Sequence, residues 1–341
     1  MQLNPNWFLG IAIDAPYGFT TNQGGIPQAS QQLGSRAAVK SIEANPVLGY
    51  KVNDMISIAA GPRVLWLQGK FNRSLFGLPS GGLLLNVPVD LAVDDIGYGF
   101  TAGITVTPTP WTELSLGYRS QVHLNLDGHN TFPITPALAV SPATAPFNGT
   151  TNNLTGSETL PDQVTFGVTQ RITETFKLLG TVEWTHWSIL QNIPFTYTSG
   201  PAPGATATTI NFNFRDGWFF SLGAEYKWNP QTMFRAGVGY EISPVTDQFR
   251  DVNLPDANRW WLSAGMTRYL GKGITLDWGY SYIQFQDAPI NVGPGHPDQA
   301  NLITLIPGVF NTYVGNANTH IHIVSLALRY KLAPEAVVTK Y

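Results

Sequence analysis

Glu113-Leu114-Ser115-Leu116-Gly117-Tyr118-Arg119-Ser120-Gln121-Val122-His123-Leu124-Asn125-Leu126-Asp127 alternates apolar and polar residues along its length. Leu114, Leu116, Tyr118, Val122, Leu124 and Leu126 fall on one parity. Ser115, Gly117, Arg119, Gln121, His123, Asn125 and Asp127 fall on the other. Successive side chains of a strand point to opposite faces, so this pattern is a strand with one face in an apolar medium and one in a polar medium.

The same rhythm recurs on both sides of this segment. It predicts twelve strands, at approximately 7–19, 36–52, 56–72, 97–108, 113–127, 162–173, 176–190, 217–228, 232–243, 259–270, 274–286 and 320–332. Trp218, Phe220, Leu222, Ala224, Tyr226 and Trp228 alternate with Ser221, Gly223, Glu225 and Lys227; Ile274 to Tyr282 does the same. Runs of about ten residues suit a tilted strand crossing a bilayer. The connections alternate between tight turns, such as Asn229-Pro230-Gln231, and long segments near 20–35, 73–96, 128–161, 191–216, 244–258 and 287–319. Alternating short and long connections fit an antiparallel transmembrane β-barrel with periplasmic turns and extracellular loops, both chain ends lying on the periplasmic side. Aromatic residues at strand ends (Trp7, Trp111, Trp218, Trp228, Trp260, Trp261, Tyr269, Tyr330) fit the two interfacial girdles.

Composition agrees. Charged residues make up 12% of the 341, about half the share usual in soluble domains. Mean hydropathy is close to zero and no run is long and apolar enough for a membrane helix. A net charge of −3 argues against nucleic acid as a partner. The absence of cysteine removes disulfides and thiol chemistry. The whole chain, 1–341, reads as one barrel domain.

No cofactor, metal site or catalytic set stands out. Ser120 and His123 are three apart on one strand and point to opposite faces. His320 and His322 share a face without a third ligand nearby, and Asp247, Asp251 and Asp256 read as loop residues. Gly97, Gly99 and Gly103, opposite Tyr98, Phe100 and Ile104, make room for curvature or packing. Two breaks in the rhythm invite a functional reading. Pro16-Tyr17-Gly18 ends a strand with a residue that cannot donate to the ladder and one that weakens pairing, which reads as a break or kink in the wall or as a simple strand terminus. The segment after Arg73 (Leu75, Phe76, Leu78, Leu83, Leu84, Leu85, Val87, Val89, Leu91, Val93) is too apolar for a loop facing water. It reads as a lid over the barrel mouth, a greasy groove, or a hairpin burying its own apolar face.

Spread over nearly the whole chain are Ala15-Pro16-Tyr17-Gly18-Phe19, Gly49-Tyr50-Lys51-Val52-Asn53-Asp54, Gly97-Tyr98-Gly99-Phe100, Leu160-Pro161-Asp162 and Glu183-Trp184-Thr185-His186-Trp187-Ser188. Further on come Ser243-Pro244-Val245 and Leu254-Pro255-Asp256-Ala257-Asn258-Arg259-Trp260-Trp261. In this order they resemble the FadL-type outer-membrane long-chain fatty-acid transporters, which include aromatic-hydrocarbon uptake channels. The resemblance implies a fourteen-stranded barrel plugged by an N-terminal hatch, of which about twelve strands are present here, the hatch and first two strands being absent. It implies location in the bacterial outer membrane, contact with its lipid and lipopolysaccharide, a monomer, and a hydrophobic small-molecule substrate leaving sideways through a kinked strand.

Carried over by position, Pro16, Tyr17 and Gly18 form the lateral gate. Arg73 falls where the family places a cation for the substrate carboxylate; Phe76, Leu84, Leu85 and Val89, in the apolar segment that follows it, read as substrate contacts. The second cation of that pocket falls near Ile210, where there is none; Arg215 is the nearest replacement. With one cation missing, a neutral or aromatic ligand becomes an alternative to a fatty acid. The resulting expectation is a passive channel for long-chain fatty acids or aromatic hydrocarbons, with a general diffusion porin as the alternative and an outer-membrane enzyme a distant third.

Overall fold

Alternating sequences fold here into antiparallel strands whose apolar parity faces outward. The computed structural model describes residues 1–23, 33–77, 85–139, 142, 144–301 and 312–331. Its strands are β1 (Trp7–Asp14), β2 (Phe19–Asn22), β3 (Arg36–Lys51), β4 (Ile56–Gly77), β5 (Leu85–Thr109), β6 (Thr112–Arg119), β7 (Val122–Thr131), β8 (Thr151–Leu160), β9 (Gln163–Arg171) and β10 (Phe176–Thr185). They continue with β11 (Asn192–Tyr197), β12 (Thr206–Asn211), β13 (Gly217–Asn229), β14 (Thr232–Ile242), β15 (Arg259–Gly271), β16 (Ile274–Phe285), β17 (Ala288–Val292), β18 (Tyr313–Ala317) and β19 (His320–Tyr330).

The wall runs β1/β2, β3, β4, β5, β6, β9, β10, β13, β14, β15, β16, β19, every neighbour antiparallel. Counting β1 and β2 as one interrupted strand, the described residues supply the twelve crossings that the alternation predicts. Outward residues such as Ile11, Tyr98 and Leu222 are about 70% exposed (71, 72 and 70%), as a lipid-facing surface requires.

Above the wall the structure departs from the expectation of long loops. The segment 73–96 is not a loop: β4 extends to Gly77 and β5 begins at Leu85, in continuous register from Gly77–Leu85 to Ile56–Val106. Val87, Val89, Leu91 and Val93 are its buried parity, so the apolar run is a hairpin extension burying its own inner face. Leu78, Leu83 and Leu84 lie outside the described residues. The other long connections also carry strands. β7 and β8 pair with each other, with upper β5 and with β11–β12 to form a second tier; β17 and β18 pair separately. Pro194 and Pro289 argue against strands at those positions. Both are tolerated because Pro194 has no ladder partner on β8, which pairs only with Thr196 and Tyr197, and β17 pairs only with β18 among the described residues.

The segment 113–127 is two strands, not one. Thr101 pairs with Arg119 and Asp94 with Asp127, so β6/β7 takes eight steps where β5 takes seven. One extra residue reverses which parity faces inward. Leu116 below the break is 47% exposed, whereas Val122 and Leu124 above it are fully buried and Leu126 nearly so. The crossing chain passes close over β5. A Cβ on Gly97 would lie 2.4 Å from a Val122 methyl and one on Gly99 2.7 Å from Ser120 Oγ, so both glycines leave room for it.

Charges on the inner face of the wall are paired across strands. Arg235 bridges Glu225 (2.8 Å) and Asp277 (3.6 Å), Lys177 joins Glu225 at 3.3 Å, and Arg329 joins Asp277 at 2.6 Å. Between β3 and β4, fully buried Arg63 holds Glu43 at 2.6 Å and donates to the Ser120 carbonyl at 2.7 Å, while Arg119 reaches Glu43 at 2.7 Å. Removing Arg63 leaves the half-exposed Arg119 as the one described ion-pair partner of the buried Glu43 carboxylate, which weakens its compensation. Arg63→Ala is therefore expected to lower unfolding stability by about 3–5 kcal/mol, and Arg63→Met combined with Glu43→Gln by less. Urea unfolding in detergent, followed by tryptophan fluorescence, measures both; equal losses would contradict the assignment.

Candidate functional site

Two contiguous cavities lie inside the upper barrel. The outer one, about 230 Å³, is walled by Phe71, Arg73, Val89, Leu91, Phe132 and Phe249, among others, with Asn130, Asn211, Asp251 and Asp298 at its polar end. The inner one, about 340 Å³, is walled by Leu126, Glu158, Leu160, Trp187, Ile193 and Phe195 and reaches Pro16, Tyr17 and Gly18. Phe19, Phe71, Ile210, Phe212, Phe214 and Leu254 line both, so the two are adjacent and together extend from Arg73 to the strand break.

The break is built by a second one-residue insertion. Asp14 pairs with Glu43 and Phe19 with Val39, five steps against four. Ile11 and Ile13 face outward below it, and Phe19 faces the cavities above it. Across the interruption the Ser41 side chain replaces the ladder: Tyr17 N–H donates to Oγ at 2.9 Å, and the hydroxyl donates back to the Tyr17 carbonyl at 2.6 Å. The Tyr17 ring meets Trp187 edge-on at 6.0 Å and its hydroxyl reaches the Pro161 carbonyl at 3.4 Å. This corner is closed by side chains, which can move without unzipping a strand.

The structure brings Arg73, Val89, Pro16, Tyr17 and Gly18 onto this route. Arg73 is opposite Val89 in register, and both line the outer cavity. Leu84 lies outside the described residues, as do the side chains of Phe76 and Leu85. Arg215 is not brought in. It is exposed, its Nε donates to the Ser243 carbonyl at 3.1 Å, and it lines neither cavity. Its backbone N–H bonds Pro244, which turns the side chain away from Phe214 and the interior. Ile210 lines both cavities, so the position without a cation is apolar surface of the route.

Several groups on the route were not singled out by the alternation. Arg259 faces the inner cavity but is engaged, with Nε on Glu241 Oε2 at 2.8 Å and Nη1 on Asp256 at 2.9 Å. Burial, and then the charge of Asp298, push the Asp251 carboxyl above its usual range; burial lowers Arg73, against the charges of Tyr197 and Asp298. Glu158, on the β7–β8 hairpin beyond the wall, shares its parity with buried Asn152, Leu154 and Leu160. Burial alone pushes its carboxyl up to about 7. A carboxyl on the apolar parity of a strand was the legible signal.

The other candidates have structural partners. Ser120 Oγ accepts the Phe100 N–H at 2.8 Å while His123 contacts Thr159 at 3.0 Å on the exposed face. His322 contacts the Tyr280 hydroxyl at 2.7 Å, and Asp247 pairs with Arg250 at 2.6 Å. Among the described residues no group of three or more His, Asp or Glu side chains is placed to hold a metal.

A lipid-facing barrel, paired charges inside it and an apolar route ending at a wall break define a transport barrel. The model of the outer membrane protein transport protein family (OMPP1/FadL/TodX) matches residues 1–331, and the chain belongs to that family. It is an outer-membrane transport protein, not an enzyme. It is 25% identical over 310 residues to the long-chain fatty acid transport protein of Salmonella typhi, covering 86% of this chain and 70% of that one. The Escherichia coli K12 protein of the same name is 25% identical over 322 residues, with the same coverage. A Pseudomonas aeruginosa FadL homologue shares the fold at TM-score 0.84 and 20% identity, over 96% of this chain and 76% of that one. The Pseudomonas putida toluene transporter TodX aligns at TM-score 0.54 and 16% identity, over 84% and 76%.

Glu158 makes stability pH-dependent. Its carboxyl titrates near 7 when folded and near 4.5 otherwise. The folded state therefore holds more protons between these values, and stability falls as pH rises through that window. Glu158→Gln is expected to stabilise the barrel by about 2 kcal/mol near pH 8 and hardly at all near pH 4. Thermal unfolding at the two pH values tests this; an equal shift at both contradicts it.

Proposed function

We propose that the chain is a passive channel for hydrophobic small molecules, long-chain fatty acids or aromatic hydrocarbons by the names of its relatives. Cargo enters at the extracellular end beside Arg73 and Val89, passes the shared aromatic ring of Phe19, Phe71, Phe212 and Phe214, and leaves sideways between Pro16 and Gly18. The observation that carries this is the continuity of lining between the outer cavity and the strand break. Phe76, Leu84 and Leu85, apolar residues that follow Arg73 in the sequence, complete the proposed capture set.

Transfer from water into this lining is driven by apolar burial, worth roughly 25 cal/mol per Å². Exit into the bilayer keeps the cargo in an apolar medium, so the path is downhill without a coupled reaction. The barrel works as a monomer surrounded by outer-membrane lipid and lipopolysaccharide.

Labelled toluene and a labelled long-chain fatty acid, supplied to cells with and without the gene, test the proposal. At least one is expected to enter several-fold faster when the gene is present, with no large ion conductance in planar bilayers. Equal entry of both, or a wide water-filled conductance, would favour the general porin instead.

A further inference from the structure

The wall break has an outer lip as well as an inner one. On β3, Val39 pairs with Phe19 and Glu43 with Asp14, so Lys40, Ser41 and Ile42 are the three residues opposite the interruption. Ser41 is buried and closes it from within, whereas Lys40 and Ile42 are exposed on the other, lipid-side parity. Val39 lines the inner cavity, and a Cβ on Gly18 would lie 3.4 Å from its carbonyl oxygen, so the peptide leading into Lys40 borders the break itself. The outer surface changes character at the same height. Below the break Ile11, Ile13 and Ile42 are exposed; level with it and above, Lys40, Thr20 and Lys70 are. A lysine at such a border costs little, because its ammonium reaches the headgroup layer along its own aliphatic stem. Among the described residues no ion pair or hydrogen bond engages that ammonium. Its partner in register on β4 is Gln68, with Asp94 one strand further; Asp14 and Glu43, at the lower edge of the break, belong to the inward parity.

We propose, on the transport reading above, that Lys40 is the exit-side cation: its ammonium receives the carboxylate of a long-chain fatty acid as that cargo leaves through the break. The carboxylate is the part of such a cargo that the lipid side of a barrel accepts worst, since an unpaired charge away from water is costly. An ammonium at the mouth offers it a charge-assisted hydrogen bond. The tail meanwhile lies down along Ile42 and Ile13 into the bilayer. Arg73 lines the outer cavity at the entry, so a cation stands at each end of the path. An aromatic hydrocarbon has no charged head and passes the same opening without using Lys40.

The test is entry of labelled dodecanoate and labelled toluene into cells carrying the full chain, with the amount of folded protein in the outer membrane matched by heat-shifted gel mobility. At about pH 7.5 dodecanoate is ionised. Lys40→Gln is expected to slow dodecanoate entry about three- to tenfold, and the ratio of dodecanoate to toluene entry falls with it. Lys40→Arg keeps the charge and is expected to keep the ratio within about twofold. An unchanged ratio in Lys40→Gln would overturn the proposal; it is the result if the ammonium serves only the phosphates of lipopolysaccharide. Equal slowing of both cargoes would overturn it too, by making Lys40 a residue that only shapes the wall. Entry of toluene but not dodecanoate through the unmodified chain would remove the proposal and leave the transport reading standing. Entry of neither would remove the transport reading, and the proposal with it.

Discussion

A strand has a side-chain period of two, and one inserted residue exchanges its faces. Both interruptions of this barrel wall use that constraint. At Ser120–Gln121 it turns the lipid-facing parity of β6 into the buried parity of β7. At Ala15–Gly18 it turns the outward isoleucines of β1 into the inward Phe19 of β2. The same apolar–polar pattern thus builds the membrane surface below and an apolar chamber above. Insertions of two residues would have preserved the faces and left no such exchange.

The rest of the interior follows from what an apolar chamber demands. Several charges near it are matched: Arg63 and Arg119 on Glu43, Arg259 on Glu241 and Asp256, and the Lys177–Glu225–Arg235–Asp277–Arg329 ladder lower down. Buried charges are tolerated when paired and hydrogen-bonded. The Pro16–Gly18 corner, by contrast, is held by Ser41, Trp187 and the Pro161 carbonyl. No backbone pairing to β3 is recorded between Asp14 and Phe19, so side chains close this point beside the cavity.

Much of this was legible in the sequence. Twelve crossings, their outward parity in β13 and β14, and the break at Pro16-Tyr17-Gly18 could be read from alternation and from proline and glycine chemistry. The second tier was not, because Asn192–Tyr197 and Ala288–Val292 are short and contain proline, which counts against a strand unless its partners are known. The face reversal at Ser120 was invisible for a related reason: parity along one strand is readable, but a bulge exists only relative to the neighbouring strand. Arg215 looked like a replacement cation from its place in the sequence. A backbone bond to Pro244 and a side-chain bond to Ser243 hold it outside the route.

The extra residue in the wall is the proposed exit. Deleting Ala15, which is exposed and lines neither cavity, gives four steps opposite four and removes the offset between Asp14 and Phe19, with Pro16 still withholding one donor. Uptake of labelled toluene by cells carrying this deletion, with folded protein in the outer membrane checked by its heat-shifted gel mobility, is the direct measurement. Entry reduced to that of cells lacking the gene is the predicted result. Entry as fast as through the unmodified protein would contradict the lateral route.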